Sequence, residues 1–406
     1  MGVSQLHALG RNRKFFVDEE TNMVTTENIS AEITATRYQP PTATDAAKVL
    51  NCTFTPAQER KTRDDSRQTR SHIEMITGKK SATWSVEAYA MPDGRARTNP
   101  PALGPLIKGC MGTETIGSDV VYSLSSGQDL GTFTLTQHFN NTFMETLTGC
   151  YVNSMTLSIA GGEEPKITFE GESSGLYIPT STSPSAAQIT AGEVTATVDG
   201  TGSGTSFDVH ADEGKNFRVG SFISVGATND LIVTAVSGDT ITVDSSISFT
   251  DDDAVVPYAP TETTYGNPIA GILGSLILDG ASDSLPITSF EVTVANNNKA
   301  ISDEAFVAGT SDYVPGFRDV TGSLSIRCRR DLAIEVGKRL DFATQSIVVT
   351  CGDTTSKQIK VQIDRAEFEV AAVDTPQSDE VVIPMTFRAL ASSSGEDEIS
   401  ITFGLA

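Results

Sequence analysis

The sequence predicts a mainly β chain: two tandem β-sandwich or barrel domains, each with a short helix, and a small all-β domain inserted between them. Three observations carry this. The 406 residues are 38% hydrophobic but only 20% charged, and Thr, Ser, Val, Ile and Gly are abundant, a mix that favours strands and turns. Short apolar–polar alternations recur between Gly-, Pro- and Asn-rich stretches, which is the period of half-buried strands. Two polar stretches of equal length, Ala57 to Gly78 and Ala295 to Gly316, interrupt that pattern, each 22 residues long.

Residues 1–45 read as an irregular N-terminal arm, because Pro40-Pro41 in a Thr-rich surround opposes a helix. The first domain spans 46–180. Val49 to Thr55 alternates as a strand. Ala57 to Arg70 (AQERKTRDDSRQTR) has almost no apolar residue, so it reads as a long exposed loop or a segment that orders on binding. Ala82 to Tyr89 is a strand with Trp84, Val86 and Ala88 on one face. Pro101 to Cys110 (PALGPLIKGC) is a short helix entered through prolines. Val120 to Leu124 and Thr132 to His138 read as a hairpin. Tyr151 to Ile159 alternates, Gly161-Gly162 turns, and Lys166 to Glu172 pairs back.

The inserted domain spans 181–264. Pro179 to Ala187 is linker-like in composition. From Ala186 to Glu262 there are twelve acids against two bases, Lys215 and Arg218, a net of −10 out of −23 for the chain. Short strands are expected at Val194–Val198, Ser206–Val209, Phe222–Val225, Leu231–Val236 and Thr240–Val243, punctuated by Gly220, Gly226 and Gly238.

The second domain spans 265–406. Thr288 to Val294 alternates as a strand, and Ala295 to Tyr313 is polar and loop-like. Ser323 to Arg327 is a strand, and Asp331 to Phe342 (DLAIEVGKRLDF) an amphipathic helix. Strands follow at Ser346–Thr350, Gln358–Val370, Val381–Ala389 and Glu398–Phe403. The order of elements repeats that of the first domain, with Thr83 to Val86 matched to Ser323 to Ile326. A duplication of this kind lets one chain supply two quasi-equivalent positions in a ring, so that three chains fill six places.

Charge and chemistry narrow the function. A net charge of −23 opposes adsorption of nucleic acid and suits a wall past which a polyanion slides. No apolar run reaches the ~18 residues of a membrane helix, and the first residues lack an apolar signal core, which predicts a protein made and kept in a cytoplasm until release. The five cysteines (Cys52, Cys110, Cys150, Cys328, Cys351) are widely spaced and never C-x-x-C, as expected of reduced, mostly buried thiols. The four histidines (His7, His72, His138, His210) show no metal-ligand spacing. Asp251-Asp252-Asp253 lacks the spaced ligands of a calcium loop and reads as a solvated turn. Nothing marks a nucleophile, base and orienter set. One Trp and eight Tyr are too few for a sugar-binding groove. No catalytic residue, metal or cofactor is expected, and the chain is not read as an enzyme.

The ordered set GKKSATWSVE (Gly78–Glu87), PALGPLIKG (Pro101–Gly109) and LTGCYVNSMTL (Leu147–Leu157) resembles the tail tube proteins of long-tailed, non-contractile bacteriophages. So do Phe290–Val294 followed by Asn296-Asn297-Asn298, GFRDVTG (Gly316–Gly322), and Thr386–Ala389 leading to Ile399–Phe403. The resemblance covers most of 49–175 and 285–405. The segment 186–262 departs from it and resembles exterior decorating modules. The resemblance implies β-sandwich tube domains flanked by a helix, whose sheets join into an inner barrel with an aqueous channel. It implies a homotrimeric, pseudo-hexameric ring that stacks into a tube in the virion, assembled in the host bacterial cytoplasm. The implied partners are further copies and other tail proteins such as tape measure, tail tip and terminator. DNA passes through the lumen without specific binding, on its way to ejection into the host, and no membrane is involved. The resemblance also gives the loop its role: Glu59, Arg60, Lys61, Arg63, Asp64, Asp65, Arg67 and Arg70 are candidate contacts with the adjacent ring. The alternative is a receptor- or host-surface-binding tail protein with an Ig-like module.

Overall fold

The computed structural model describes residues 13–20, 43–62, 75–127, 130–139, 143–174, 177–181, 196–217, 219–257, 266–270, 274–278, 287–301, 312–327, 344–352, 357–370, 381–393 and 395–405. It is mainly β. Before the midpoint run β1 (Arg13–Glu19), β2 (Ala46–Ala47), β3 (Asn51–Thr62) and β4 (Met75–Tyr89). Helix α1 (Gly104–Met111) is followed by β5 (Gly112–Ile116), β6 (Val120–Leu124), β7 (Phe133–Phe139), β8 (Phe143–Ala160), β9 (Lys166–Ser173) and β10 (Tyr177–Ser181). A separate group follows: β11 (Ala196–Thr197), β12 (Gly202–Asp208), β13 (Phe222–Val225), β14 (Thr228–Ser237), β15 (Thr240–Phe249) and β16 (Ala254–Pro257). The chain ends with β17 (Gly274–Leu278), β18 (Ile287–Ala295), β19 (Lys299–Ile301), β20 (Asp312–Val314), β21 (Asp319–Arg327), β22 (Gln345–Cys351), β23 (Ile359–Val370), β24 (Val382–Ala389) and β25 (Ser400–Phe403).

The repeat in the sequence is a repeat in the pairing. In the first half β1 pairs with β7, β7 with β8, β8 with β9, β9 with β4 and β4 with β3. In the second, β17 pairs with β22, β22 with β23, β23 with β24, β24 with β21 and β21 with β18. The extra strands match too, since β10 lies on β8 as β25 lies on β23. Cys150 and Ala366 mark equivalent points. Each pairs on one side with the start of the preceding strand (Phe133, Gln345) and on the other with the end of the following one (Ser173, Ala389). Following the ladders outward sets Trp84 opposite Gly171 as Gly322 is opposite Phe387, and Phe54 opposite Trp84 as Val292 is opposite Gly322. Residues 57 and 78 are thereby equivalent to 295 and 316, as the matched 22-residue stretches require. The match of Thr83–Val86 to Ser323–Ile326 is corrected to Thr321–Leu324. A slip of two residues preserves the buried face, so alternation alone is blind to it.

The halves fuse through β8 and β18, with Ser154–Ala160 opposite Ser289–Ala295. The result is one antiparallel run, β3-β4-β9-β8-β18-β21-β24-β23. One face is apolar: Phe54, Trp84, Phe169, Leu157, Val292, Leu324, Met385 and Phe368 belong to one buried core shared by both halves. The other face is polar. Helix α1 packs on the first half with Leu106, Ile107, Cys110 and Met111 buried. Gly109 allows this approach, because a Cβ there would enter the Phe133 ring.

Strands β11–β16 form their own six-stranded sheet around a second core that includes Phe207, Phe217, Ile223, Val233, Ile241 and Val255. Gly238 turns between β14 and β15 with φ +62°, a conformation that favours glycine.

Several expectations are corrected. The arm at 1–45 is not irregular throughout: Arg13–Glu19 is a strand with Phe15, Phe16 and Val17 buried. The apolar run Phe15-Phe16-Val17 is short and bounded by Arg13-Lys14 and Asp18-Glu19, so it shows no alternation. Val120–Leu124 and Phe133–Phe139 do not form a hairpin; β6 pairs with β5 and β25, and β7 with β1 and β8. The polar stretch after Ala57 is strand as far as Thr62, and Ala295–Tyr313 contains the β19–β20 pair. The predicted helix Asp331–Phe342 and Cys328 lie outside the described residues. The other four cysteines are free and buried.

Candidate assembly surfaces

Three surfaces stand out. The first is an arm made by the outer parts of β3 and β4. Its base is anchored by Cys52 and Phe54 opposite Val86 and Trp84. Trp84 Nε1 donates to the Glu172 carbonyl at 3.2 Å. Beyond the base, Thr55 to Thr62 are all exposed. Of the loop residues singled out, Glu59, Arg60 and Lys61 lie on β3, with Lys61 Nζ 3.0 Å from Glu59 Oε1. Arg63, Asp64, Asp65, Arg67 and Arg70 lie outside the described residues. Met75 and Ile76 on the facing strand are 60% and 55% exposed. The polar composition of the stretch upstream gave no hint of these two exposed apolar side chains.

The second surface is the polar face of the eight-strand run. In register, Ser158, Glu291, Ser323, Thr386 and Glu369 form one row, and Thr156, Thr293, Thr321, Arg388 and Glu367 the next. The Thr156 and Thr293 hydroxyls are 2.9 Å apart across the fused halves. Towards β3 the face continues with Glu170, Ser85 and Thr53, where a cleft of about 310 Å³ is lined by Thr53, Thr83, Asn153 and Glu172 among others. Carboxylates dominate the charged positions of this face.

The third is the fold-back of the second half. Asn296, Asn297 and Asn298 end β18, with Asn297 at φ +50°, a value Asn tolerates better than most residues. Asn296 Nδ2 donates to the Cys110 carbonyl of α1 at 3.0 Å. Asn298 donates from its backbone to Asn153 Oδ1 at 2.8 Å and from Nδ2 to the Val152 carbonyl at 3.0 Å. Tyr313 on β20 then stacks on Tyr151 with centroids 4.4 Å apart. The second-half hairpin is thus held down on β8, whereas its equivalent in the first half projects.

Buried titratable groups cluster where β1 meets β7. His138 is buried, neither ring nitrogen has a hydrogen-bond partner among the described residues, and burial followed by the Lys14 charge lowers its pKa to about 4. Burial and then the Asp45 charge raise Asp18 to about 7. On the second sheet, His210, Asp251 and Asp252 are the one group among the described residues whose ligand atoms lie within 4.8 Å of one another. The Asp252 carboxylate raises the His210 pKa. Asp253 accepts from the Thr250 amide of its own turn at 2.7 Å, and Asp251 accepts from the Gly200 amide of the neighbouring turn at 2.8 Å.

A long antiparallel run with one apolar face and one face whose charged positions are mostly acidic, built from two equivalent halves, defines a duplicated β-sheet protein. A family model for phage tail tube proteins matches residues 10–404. The chain belongs to that family and is a structural component of the virion tail. No curated protein matches the chain.

Proposed function

We propose that the chain polymerises into stacked rings that form the tail tube of a long-tailed phage, the conduit through which DNA is ejected. The observation that carries this is the strand-for-strand repeat fused into one eight-strand run through β8 and β18. A run of this kind has two ends and closes only by meeting further copies. Three chains supply 24 strands. At about 4.8 Å between strands and a tilt of about 40°, such a barrel is roughly 48 Å across, and side chains leave an open channel wide enough for a nucleic-acid duplex.

The polar face lines that channel in this reading, and Glu170, Glu172, Glu291, Glu367 and Glu369 give it an acidic wall that repels phosphates. The chain then divides into two tube domains, 46–180 and 265–406, and β1 from the N-terminal segment adds to the first of them. The acidic module at 181–264 sits outside the channel. The arm, with Met75 and Ile76 exposed, reaches the adjacent ring. Assembly takes place in the host cytoplasm with tape measure, tip and terminator proteins.

Negative-stain imaging of concentrated protein, combined with native mass measurement, tests this. Stacked rings with an axial hole and a ring mass of three chains are expected. Six chains per ring would refute the two-for-one reading, and monomers at every concentration would refute the tube.

A further inference from the structure

We infer that the Phe317 loop is a contact that stacks one ring on the next: the Phe317 ring of one copy seats in an apolar recess around Met91, Pro101 and Ala102 at the opposite end of a copy in the neighbouring ring. The inference rests on the proposed stacking of rings and adds which two ends of the chain meet and through which side chains.

Phe317 follows β20 and is 96% exposed, the most exposed large hydrophobic side chain among the described residues. An exposed phenylalanine on its own is ordinary; this one is held in place. Its carbonyl accepts from Asn297 Nδ2 at 2.8 Å. Before it, the Gly316 amide donates to the Asn296 carbonyl at 3.1 Å, and a Cβ on Gly316 would run into the Asn297 carbonyl oxygen. After it, Arg318 donates from Nη2 to the Ser125 carbonyl at 2.7 Å and from Nε to Asn296 Oδ1 at 3.3 Å. Val314, three residues earlier, is also exposed. An aromatic ring presented to water by a loop pinned on both sides loses little freedom on docking, which is what an interface anchor needs.

The recess lies at the other end of the same helix. Helix α1 starts beside it, after Pro101, Ala102 and Leu103, and ends under the loop, where the Cys110 carbonyl accepts from Asn296 Nδ2. The strands agree. Phe317 lies two residues outside Asp319, which stands in the row with Ala295 and Ser154 at one end of the run. Tyr89 stands in the row with Lys166 and Ser158 towards the other end, and Met91 lies two residues outside it. Tyr89, Met91 and Ala102 are half-buried, and Phe403 adds to the lining.

The occupant is a second copy. A barrel closed from this run has strands inclined to its axis, so the strand ends form its two rims and a neighbouring ring meets it rim to rim. Joining unlike ends of identical chains is a head-to-tail contact, which repeats without closing and builds a filament. The two ends match in chemistry. An aromatic anchor at one rim answers an apolar recess at the other. Beside Phe317 stand Arg318 and, on the β19–β20 pair, exposed Lys299, while Asp319 is ion-paired with Arg388 at 2.7 Å. Beside the recess the turn before β9 exposes Glu163 and Glu164, held against it by the Ala90 amide donating to the Pro165 carbonyl at 2.8 Å; Lys48 is the one cation lining the recess. A basic loop thus faces an acidic turn.

The test uses the full chain. Phe317→Asp should unfold in urea at the wild-type midpoint, because the ring is exposed, and should still form single rings by native mass measurement. Its tubes should need about tenfold more protein, or more, to form in negative stain. Tubes of Phe317→Asp at the wild-type concentration would overturn the anchor, as would a midpoint well below wild type, which would make the ring part of the fold. A benzophenone amino acid at position 317, co-assembled with an excess of wild-type chain and irradiated, maps the seat. The inter-chain product should join position 317 to the segment 89–103. Inter-chain products confined to other segments, or tubes with none, would overturn this seat and leave the tube reading intact. Wild-type protein that never forms stacked rings would overturn both.

Discussion

Deleting Glu59 to Arg70 separates assembly from folding. Within the described part of that segment, Glu59 to Thr62 are all exposed, and the apolar contacts of β3 are made at Cys52 and Phe54 below the cut. The deletion thus removes almost no buried apolar surface. At about 25 cal/mol per Å² of apolar area, the cost comes close to the ±0.5 kcal/mol of ordinary surface changes. The backbone ladder of the outer arm already faces water and adds little. By contrast, Trp84→Ala at the arm's base empties a site that is 3% exposed and should cost about 3–5 kcal/mol. Urea denaturation monitored by far-ultraviolet circular dichroism, which also reads the tryptophan-free Trp84→Ala variant, should give the deletion variant a midpoint and slope close to wild type. The same sample, concentrated and imaged in negative stain, should show no tubes. Normal tubes would refute the role given to the arm. A midpoint lowered as far as that of Trp84→Ala would refute the claim that the arm contributes nothing to the fold.

Three further outcomes are expected. His138 has a folded pKa of about 4, below its ordinary 6.5, so its contribution is complete above pH 6.5 and lost as pH falls towards 4. His138→Gln should flatten the acid limb of stability, by up to roughly 3 kcal/mol, in denaturant titrations between pH 7 and 4. Asp18 is raised to about 7, so its contribution is complete below pH 3.8 and lost as pH rises through 7. Asp18→Asn should stabilise the protein at pH 8 by about 1–2 kcal/mol, after discounting for partial solvation, and leave it unchanged at pH 4. Because the two groups act in opposite directions over the same range, the wild-type curve should be flatter than that of Asp18→Asn. Finally, a fragment spanning Ala186 to Glu262 should fold alone with a cooperative thermal transition, since its sheet has its own core. A fragment showing only coil in circular dichroism would remove the case for a separate module.

The sequence by itself determined the class of fold, the faces of most strands and the helix at Gly104–Met111. These depend on local periodicity: Trp84, Val86 and Ala88 alternate, and Pro101 and Pro105 open a short helix whatever lies beyond it. It also determined that the halves repeat, because Ala57–Gly78 and Ala295–Gly316 have equal length. Tertiary structure alone decided the partners. Val120–Leu124 and Phe133–Phe139 look like a hairpin because they are near in sequence, yet β6 pairs with β25 across the chain, where Tyr122 stands edge-on to Phe403 at 5.8 Å. The buried strand Arg13–Glu19 was hidden because RKFFVDE is short and flanked by charge, and only its seat beside β7 makes it core. The two polar stretches differ in outcome for the same reason. One begins with Asn296-Asn297-Asn298 after Ala295, and amides of Asn296 and Asn298 find Val152, Asn153 and the end of α1 within the chain. The other carries Gln58, Glu59 and Arg60 at that place and projects. Strand propensity is local, but which edge a strand meets depends on the sum of non-local contacts, and alternation does not encode it.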